Sequence, residues 1–248
     1  MRVWLLDTGS IVIEHTQLMW NVPGPRVRIP SYGVLIEHDD GLILFDTGFD
    51  LEHTEAVLPF EEPEQTPRQT IPAQLEASGF TTEDVGTLVN SHLHFDHVGG
   101  NKHLRSSKIV VHERELRQAR DHHPFEFFGY SDKSWDYEGA RFEPISGDVE
   151  LAPGLTLYET PGHTIGHYSL LVQGSGASRP MLFAADVVYT PAAYDKGIQA
   201  GFHVDPVAGV SSIRRVKELA QQHEADVYFS HDMASWETYK HAPDFYEV

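Results

Sequence analysis

Short apolar runs recur along the chain, and each is bounded by Gly, Pro, Asp or Asn. The runs cover residues 3–6, 33–38, 41–48, 85–92, 108–113, 155–160, 168–173, 181–186 and 225–232. Their length and their content of branched and aromatic side chains predict β-strands. Asp39, Asp40 and Gly41 separate the second run from the third, and this spacing predicts a hairpin turn.

Helical spacing replaces the strand pattern in one stretch, where apolar residues alternate with Lys and Arg: Val207, Val210, Ile213, Val216 and Leu219. This spacing predicts a helix over residues 207–219. Residues 69–78 and 112–120 are further helix candidates. Strands and helices mix throughout without a break in composition. The pattern therefore predicts a single α/β domain over residues 1–248, with two sheets or one large mixed sheet.

Two stretches, residues 15–30 and 121–144, fit neither pattern. The first is rich in Pro, and the second is rich in aromatic side chains. Loops of this kind often form lids or walls of binding sites, and irregular core packing is the alternative. Trp20 and Phe128, one in each stretch, are therefore candidate substrate-binding residues.

Composition narrows the possible functions. The chain has 248 residues, with 18 Lys and Arg against 37 Asp and Glu, so its net charge is −19. Such an acidic chain is expected to bind nucleic acid and anionic membranes poorly. It has no cysteine, which excludes disulfides, thiolate nucleophiles and cysteine-based zinc sites. The N-terminus lacks a signal-peptide pattern, and no apolar run approaches the roughly 20 residues of a membrane helix. We therefore expect a cytoplasmic protein.

Candidate chemistry concentrates in the sequence VNSHLHFDHVGGN at residues 89–101. His92, His94 and Asp96 alternate, so on an extended chain their side chains point the same way. His97 follows where the two glycines permit a turn into a helix. Imidazole nitrogens and carboxylate oxygens are ligands for zinc and similar divalent ions. A cluster of histidines without metal is disfavoured, because packing imidazoles together carries repulsion and desolvation.

More ligand candidates follow other predicted strands. His163 lies in a Gly-rich loop, and Asp186 and His231 each end a strand. Sites on α/β sheets gather at such carboxyl ends. Two divalent ions, with zinc the first choice and Mn, Fe or Co possible, would use one set each: His92, His94 and His163 for one; Asp96, His97 and His231 for the other; and Asp186 between them. His203, which follows Gly201-Phe202, is a candidate for substrate binding.

Five motifs in this order resemble the metallo-β-lactamase superfamily over nearly the whole chain. They are DTG at 46–48, HLHFDH at 92–97, PGHTIGH at 161–167, AADVVY at 184–189 and SHD at 230–232. The resemblance implies a four-layer αβ/βα sandwich with a dinuclear metal site between its sheets. It maps the family's ligand pattern onto the residues named above. It also implies that Asp46 and Asp232 hold ligands in orientation.

Within the superfamily the chain resembles the lactonase branch. Asp96, the terminal His231 and Tyr189, three residues after Asp186, match the N-acyl homoserine lactonases. Longer stretches, among them residues 57–72, 124–132 and 201–220, are more similar to the 4-pyridoxolactonases. We therefore predict hydrolysis of 4-pyridoxolactone to 4-pyridoxate, in pyridoxine degradation. The alternative is hydrolysis of N-acyl homoserine lactones, which is quorum quenching.

The mechanism implied by this resemblance needs no covalent enzyme intermediate. A hydroxide held between two metals would open the lactone ring, Tyr189 would stabilise the oxyanion, and Asp96 would deliver a proton to the leaving oxygen. A small-molecule lactone is the expected partner, and a homodimer is compatible with the sequence. Two other functions stay open: a glyoxalase-type thioester hydrolase, although the C-terminus lacks the usual basic patch, and a metal-binding module without turnover.

Overall fold

Two β-sheets form the frame of the protein in a computed structural model, which describes residues 1–176 and 178–248. The described part of the first sheet has seven strands: β1 (Arg2–Ile13), β2 (Val27–His38), β3 (Gly41–Phe45), β4 (Val85–Val89), β5 (Lys108–His112), β6 (Arg141–Ile145) and β12 (Tyr246–Glu247). The described part of the second sheet has five: β7 (Val149–Ala152), β8 (Leu155–Glu159), β9 (Tyr168–Val172), β10 (Met181–Phe183) and β11 (Asp226–Tyr228).

Both sheets mix parallel and antiparallel pairs. The first has the order β12-β1-β2-β3-β4-β5-β6, in which β3 to β6 run parallel and the remaining pairs are antiparallel. The second has the order β11-β10-β9-β8-β7, and only β10 and β11 run parallel. The predicted hairpin is present, because β2 and β3 pair from Val34↔Phe45 to His38↔Gly41.

Helices lie between the strands: α1 (His15–Leu18), α2 (Leu51–Val57), α3 (Ile71–Ala77), α4 (Phe95–Val98), α5 (Glu113–Arg120), α6 (Pro191–Lys196), α7 (Pro206–Gln222) and α8 (Met233–Trp236). The longest, α7, begins at a strong signal. The Asp205 carboxylate accepts hydrogen bonds from the backbone N–H groups of Val207 and Ala208, and Pro206 occupies the first turn. Both features favour a helix start.

Alternate residues of the strands face different layers, which gives the sandwich. In β1, Leu5 packs between the two sheets, and Leu6 packs on the outer side with Ile71 of α3. In β9, Leu170 packs between the sheets, and Leu171 belongs to the cluster that contains Ile213 of α7. Period-two alternation therefore buries both faces of each sheet. The order of layers is helix, sheet, sheet and helix, as the predicted αβ/βα sandwich requires.

The strand β1 changes direction at a bulge, where its pairing with β2 shifts register between Asp7 and Ser10. Gly9 lies in the bulge with φ of 105°, a conformation that favours glycine. A Cβ atom there would lie 2.4 Å from the Glu64 carbonyl oxygen. Bulges re-aim the residues that follow them, and in this strand those residues include Ile11 and Ile13.

Every predicted strand and each of the three predicted helices is present, and the α/β class is confirmed. The patterns missed β6, β7, β12 and the shorter helices. The stretch 15–30 contains α1 and the start of β2, and the stretch 121–144 leads through a short 3-10 helix to β6. That the whole chain is a single domain stays a prediction. None of the helices in residues 1–176 and 178–248 has the length and apolar character needed to cross a bilayer.

The packing of Leu44 gives a test of the outer core. Leu44 lies on β3 and is 0% exposed, whereas Val207 on α7 is 76% exposed. We expect Leu44→Ala to lower the free energy of unfolding by about 2–4 kcal/mol, because it removes buried methyl groups and leaves a cavity. Val207→Ala is the control and should change it by less than about 0.5 kcal/mol. Urea denaturation measures both, and equal effects would contradict this packing.

Candidate metal centre

The ends of strands from both sheets bring the predicted ligands together. His92, His94, Asp96 and His97 follow β4 of the first sheet, and α4 begins within this segment. In the second sheet, His163 follows β8, Asp186 follows β10 and His231 follows β11. A hydrogen bond of 2.9 Å from the Tyr168 N–H to the Ser91 carbonyl oxygen joins the sheets beside this site. The side chains of both sheets therefore meet in one small volume.

Asp186 lies at the centre, and its two oxygens face different histidines. Oδ2 is 3.3 Å from Nε2 of His163 and 3.9 Å from Nε2 of His92. Oδ1 is 3.2 Å from Nε2 of His97 and 3.3 Å from Nε2 of His231. A carboxylate in this position can bridge two cations.

The other predicted ligands complete two groups around this carboxylate. Nδ1 of His94 lies 2.9 Å from Nε2 of His163. Oδ2 of Asp96 lies 3.6 Å from Nε2 of His231 and 3.7 Å from Nε2 of His97. Within each group the potential ligand atoms are within 4.8 Å of one another: His92, His94 and His163; Asp96, His97 and His231. The structure therefore brings together every ligand that the sequence predicts, in the predicted grouping.

Outer hydrogen bonds orient the imidazole rings. Nδ1 of His163 donates to the Phe202 carbonyl oxygen at 2.7 Å, and Nδ1 of His231 donates to the Pro30 carbonyl oxygen at 3.0 Å. Because carbonyl oxygens only accept, these nitrogens carry the ring hydrogen in the neutral form. Each Nε2 is then left as a lone pair that faces the centre, which is what a metal ligand requires.

Asp46 supports one histidine in each group. Its carboxylate accepts hydrogen bonds from Nδ1 of His97 at 2.8 Å, from Oγ of Ser91 at 2.6 Å and from the Ser91 N–H at 2.8 Å. Oγ of Ser91 is in turn 3.0 Å from Nδ1 of His92. Asp46 therefore has the orienting position that the family resemblance implies for it.

Asp232 does not have the corresponding role, contrary to expectation. Its carboxylate accepts hydrogen bonds from the Ser235 N–H at 2.8 Å and from Oγ of Ser235 at 2.6 Å. These bonds cap α8, because Asp232 stands at the residue before its first turn. The orienting role that the family resemblance implies for Asp232 is therefore wrong in this structure.

Burial and charge act in opposite directions at the centre. Burial lowers the pKa of His92 and of His94 well below the usual range, and nearby histidines lower it further. Burial also opposes the charged form of His97, but the carboxylates of Asp186, Asp96 and Asp46 raise its pKa well above the usual range. The pKa of Asp186 is held well below its usual range by surrounding histidines, despite the opposing effect of burial. Asp186 is therefore ionised at neutral pH.

The donor set fits divalent metal ions. Among the seven candidate ligands, four buried side-chain atoms have no hydrogen-bond partner within the described residues: Nε2 of His92, His97 and His231, and Oδ1 of Asp186. Buried polar atoms without partners are costly, so such a cluster needs an explanation. All four atoms face the centre, and nitrogen and carboxylate oxygen are the donors that zinc and related ions take. Cations at this centre would satisfy them.

A cleft opens onto the centre and contains about 470 Å³ of empty space, part of which is open to solvent. Its polar lining consists of the side chains of Glu61, His94, Asp96, His163, Asp186, Tyr189 and His231. Its apolar lining consists of Ile11, Ile13, Ile29, Leu58, Phe95, Phe128 and Phe202. The Tyr189 ring lies 4.5 Å from the His231 ring between centroids. Burial and the charge of Asp186 raise the pKa of the Tyr189 phenol well above its usual range.

The candidate substrate residues occupy different places. Phe128 lines the cleft and is 46% exposed. Trp20 packs edge-on against His203, with ring centroids 4.5 Å apart, and His203 lines a neighbouring cavity that also contains His163. Phe202, one residue before His203, reaches the cleft instead. Sequence reasoning also missed Glu61 and the isoleucines of β1, although Ile11 and Ile13 show the alternation of a strand with one apolar face.

Comparison with known proteins gives the family. The model of the Metallo-beta-lactamase superfamily matches residues 26–240. The chain belongs to this superfamily. The predicted family and fold class are confirmed.

Relatives of this superfamily member are similar along their whole length. An N-acyl homoserine lactonase of Bacillus sp is 31% identical over 254 residues, covering 98% of each chain. One of Bacillus cereus is 32% identical with the same coverage. A solved structure of an N-acyl homoserine lactone hydrolase, with N-hexanoyl-L-homoserine at its catalytic metal centre, has a TM-score of 0.87. It is 28% identical and covers 99% of this chain and 98% of its own. The prediction of a metal-dependent lactone hydrolase of the lactonase branch is thereby confirmed.

The hydrogen bonds of Asp46 predict its contribution to metal affinity. We expect Asp46→Asn to weaken zinc binding by about 10- to 100-fold, because an amide is a poorer acceptor for His97. Asp232→Asn is the matched control and should leave zinc affinity unchanged, since Asn also caps helices. Competition with a chromophoric chelator measures both constants. Equal weakening in the two variants would contradict the orienting role of Asp46.

Glu61 predicts a pH dependence of stability in the metal-free protein. Burial raises the pKa of Glu61 from 4.5 to about 8, so the folded state holds this proton more tightly than the unfolded state. The stabilising contribution of this protonation to the free energy of unfolding is then fully present below pH 4.5 and is lost as the pH rises through 8. Glu61→Gln has no such titration. We therefore expect its free energy of unfolding, relative to that of wild type, to increase by about 2 kcal/mol from about pH 6 to about pH 9. Urea denaturation with chelator measures the difference, and a constant difference would contradict the shift.

Proposed function

We propose that this protein is a dinuclear metal-dependent lactonase that opens N-acyl homoserine lactones to the corresponding hydroxy acids. One observation carries the proposal. A single cleft combines members of both ligand groups, Asp186 and Tyr189 with an apolar lining. An acyl homoserine lactone has the matching parts, a polar ring and an aliphatic tail.

The geometry of the two groups supports the proposed metal ligands. His92, His94 and His163 would hold one ion, and Asp96, His97 and His231 the other, with Asp186 shared between them. Zinc is the ion we propose, because imidazole and carboxylate donors suit it. Two such ions would supply Lewis-acid polarisation of the lactone carbonyl and activation of water at neutral pH.

The protein's own groups would handle charge and protons around the ring. Because the pKa of Tyr189 is raised, its phenol keeps the proton at neutral pH and can donate a hydrogen bond to the carbonyl oxygen as negative charge develops there. The Asp96 carboxylate lines the same cleft. It can accept a proton from the attacking water and return it to the ring oxygen when the carbon–oxygen bond breaks.

The apolar part of the cleft suits an acyl chain. Ile11, Ile13 and Phe128 line it, and Phe60 contacts Phe128 edge-on with ring centroids 5.6 Å apart. Phe60 and Phe128 are both about half exposed. Each methylene that such a surface removes from water contributes about 0.8 kcal/mol. The lining therefore favours longer acyl chains over shorter ones.

The relatives favour this substrate over 4-pyridoxolactone, which was the first prediction from the sequence. Proteins similar to this chain along their whole length carry the name N-acyl homoserine lactonase. An apolar lining also suits an aliphatic tail better than a flat polar ring. Pyridoxine degradation stays a prediction, and 4-pyridoxolactone is the comparison substrate in the test.

The test measures turnover of zinc-loaded protein on N-hexanoyl-L-homoserine lactone, on 4-pyridoxolactone and on a glutathione thioester. We expect kcat/KM for the acyl homoserine lactone to exceed the others at least about 10-fold, or ~1.4 kcal/mol in transition-state binding. Tyr189→Phe should lower kcat by about 10- to 100-fold while zinc stays bound, because it removes one oxyanion donor. His94→Ala is the blank.

Three outcomes would contradict the proposal. A ten-fold preference for 4-pyridoxolactone would restore the first prediction from the sequence. Preference for the thioester would indicate a glyoxalase-type hydrolase. Two bound zinc ions without turnover of any substrate would indicate a metal-binding module.

A further inference from the structure

Glu61 carries a carboxyl group in the cleft that the proposed mechanism does not use. It ends a short 3-10 helix, Pro59–Glu61, and is 5% exposed. Its Oε2 atom is buried and has no hydrogen-bond partner among the described residues. It shares the cleft with isoleucines and phenylalanines. A carboxyl group in such surroundings is costly unless a donor reaches it.

The cations near Glu61 are engaged elsewhere. His231 and Arg26 are the basic side chains whose charge acts on Glu61. Nε2 of His231 faces Oδ1 of Asp186 at 3.3 Å. The Arg26 guanidinium bonds Oε1 of Glu62 at 2.5 Å and lies 3.3 Å from Oε1 of Glu14. The groups of metal-ligating residues in the described chain do not include Glu61. Its missing partner is therefore best supplied by a molecule that enters the cleft.

Glu61 lies near the groups that would receive the lactone carbonyl. It is within electrostatic range of Asp96, His231 and Tyr189, all of which line the same cleft. A donor that reaches Glu61 would therefore lie in the same cleft as the carbonyl group of a bound lactone. In an acyl homoserine lactone, the amide N–H is on the carbon next to that carbonyl.

We propose that Glu61 is a specificity-determining residue that accepts a hydrogen bond from the N–H donor beside the lactone carbonyl. The protein would then select lactones with an acylamino group over lactones of the same shape without a donor. A site with an unpaired buried acceptor rejects an analogue that cannot satisfy it. This inference rests on the proposed function and extends it from lactones in general to their substituent.

The test uses two substrates that differ by one atom, N-hexanoyl-L-homoserine lactone and its ester analogue, α-hexanoyloxy-γ-butyrolactone, in which oxygen replaces N–H. We expect zinc-loaded wild-type protein to prefer the amide by about 10-fold or more in kcat/KM. Glu61→Leu should lower kcat/KM for the amide by about 10- to 100-fold and leave the ester within about three-fold. Glu61→Gln, which keeps a weaker acceptor, should fall between.

Glu62→Gln is the matched control, since Glu62 is adjacent in sequence, exposed and paired with Arg26. It should leave kcat/KM unchanged for both substrates. A second measurement is calorimetric binding of the ring-opened product, N-hexanoyl-L-homoserine, to each zinc-loaded variant. We expect about 10-fold weaker binding by Glu61→Leu, with unchanged zinc content in Glu61→Gln.

The outcomes separate this inference from the proposed function. Wild-type protein that hydrolyses both substrates equally, or a Glu61→Leu variant that loses both equally, overturns the inference alone. Loss of zinc from Glu61→Gln also overturns it, because Glu61 would then act on the metal site. If wild-type protein hydrolyses neither lactone, the proposed function fails and this inference fails with it.

Discussion

The arrangement of the two sheets around the site depends on the interaction of the Asp186 carboxylate with histidines from both sheets. This carboxylate is buried, and burial alone would force it to take up a proton. Histidines from both sheets prevent this, with His97 of the first sheet at 3.2 Å and His231 of the second at 3.3 Å. Neither sheet surrounds the carboxylate by itself. The site therefore lies at the interface between the two sheets, and its geometry depends on how they pack.

The bulge in β1 shapes the cleft beside this interface. Before the bulge, Val3 and Leu5 pack between the sheets; after it, Ile11 and Ile13 line the cleft. The same strand thus serves the core at one end and the substrate site at the other. At the bulge, the backbone of Gly9 lies close to the carbonyl oxygen of Glu64. This contact holds the segment that carries Phe60 and Glu61 next to β1.

Local patterns predicted the central strands, the helix α7 and the metal ligands, because each signal lies within a few neighbouring residues. The strand β6 was missed because Arg141, Glu143 and Pro144 interrupt its apolar pattern at the edge of a sheet. Glu61 was missed for a different reason. In sequence it stands in an acidic stretch typical of solvent-exposed segments, and most of the apolar side chains around it, such as Ile11, Ile13 and Phe128, are distant in sequence. Nonlocal packing of this kind leaves no periodic signal.

The hydrogen bonds of Asp46 have a consequence for how the centre is assembled. Oδ2 of Asp46 orients His97 directly and His92 through Ser91, so one ring from each ligand group depends on the same oxygen atom. Ordering one ring fixes Asp46 and thereby lowers the entropy cost of ordering the other. Metal uptake would then be cooperative: half-loaded protein would be scarce, and the fraction of competent molecules would rise steeply over a narrow range of metal availability.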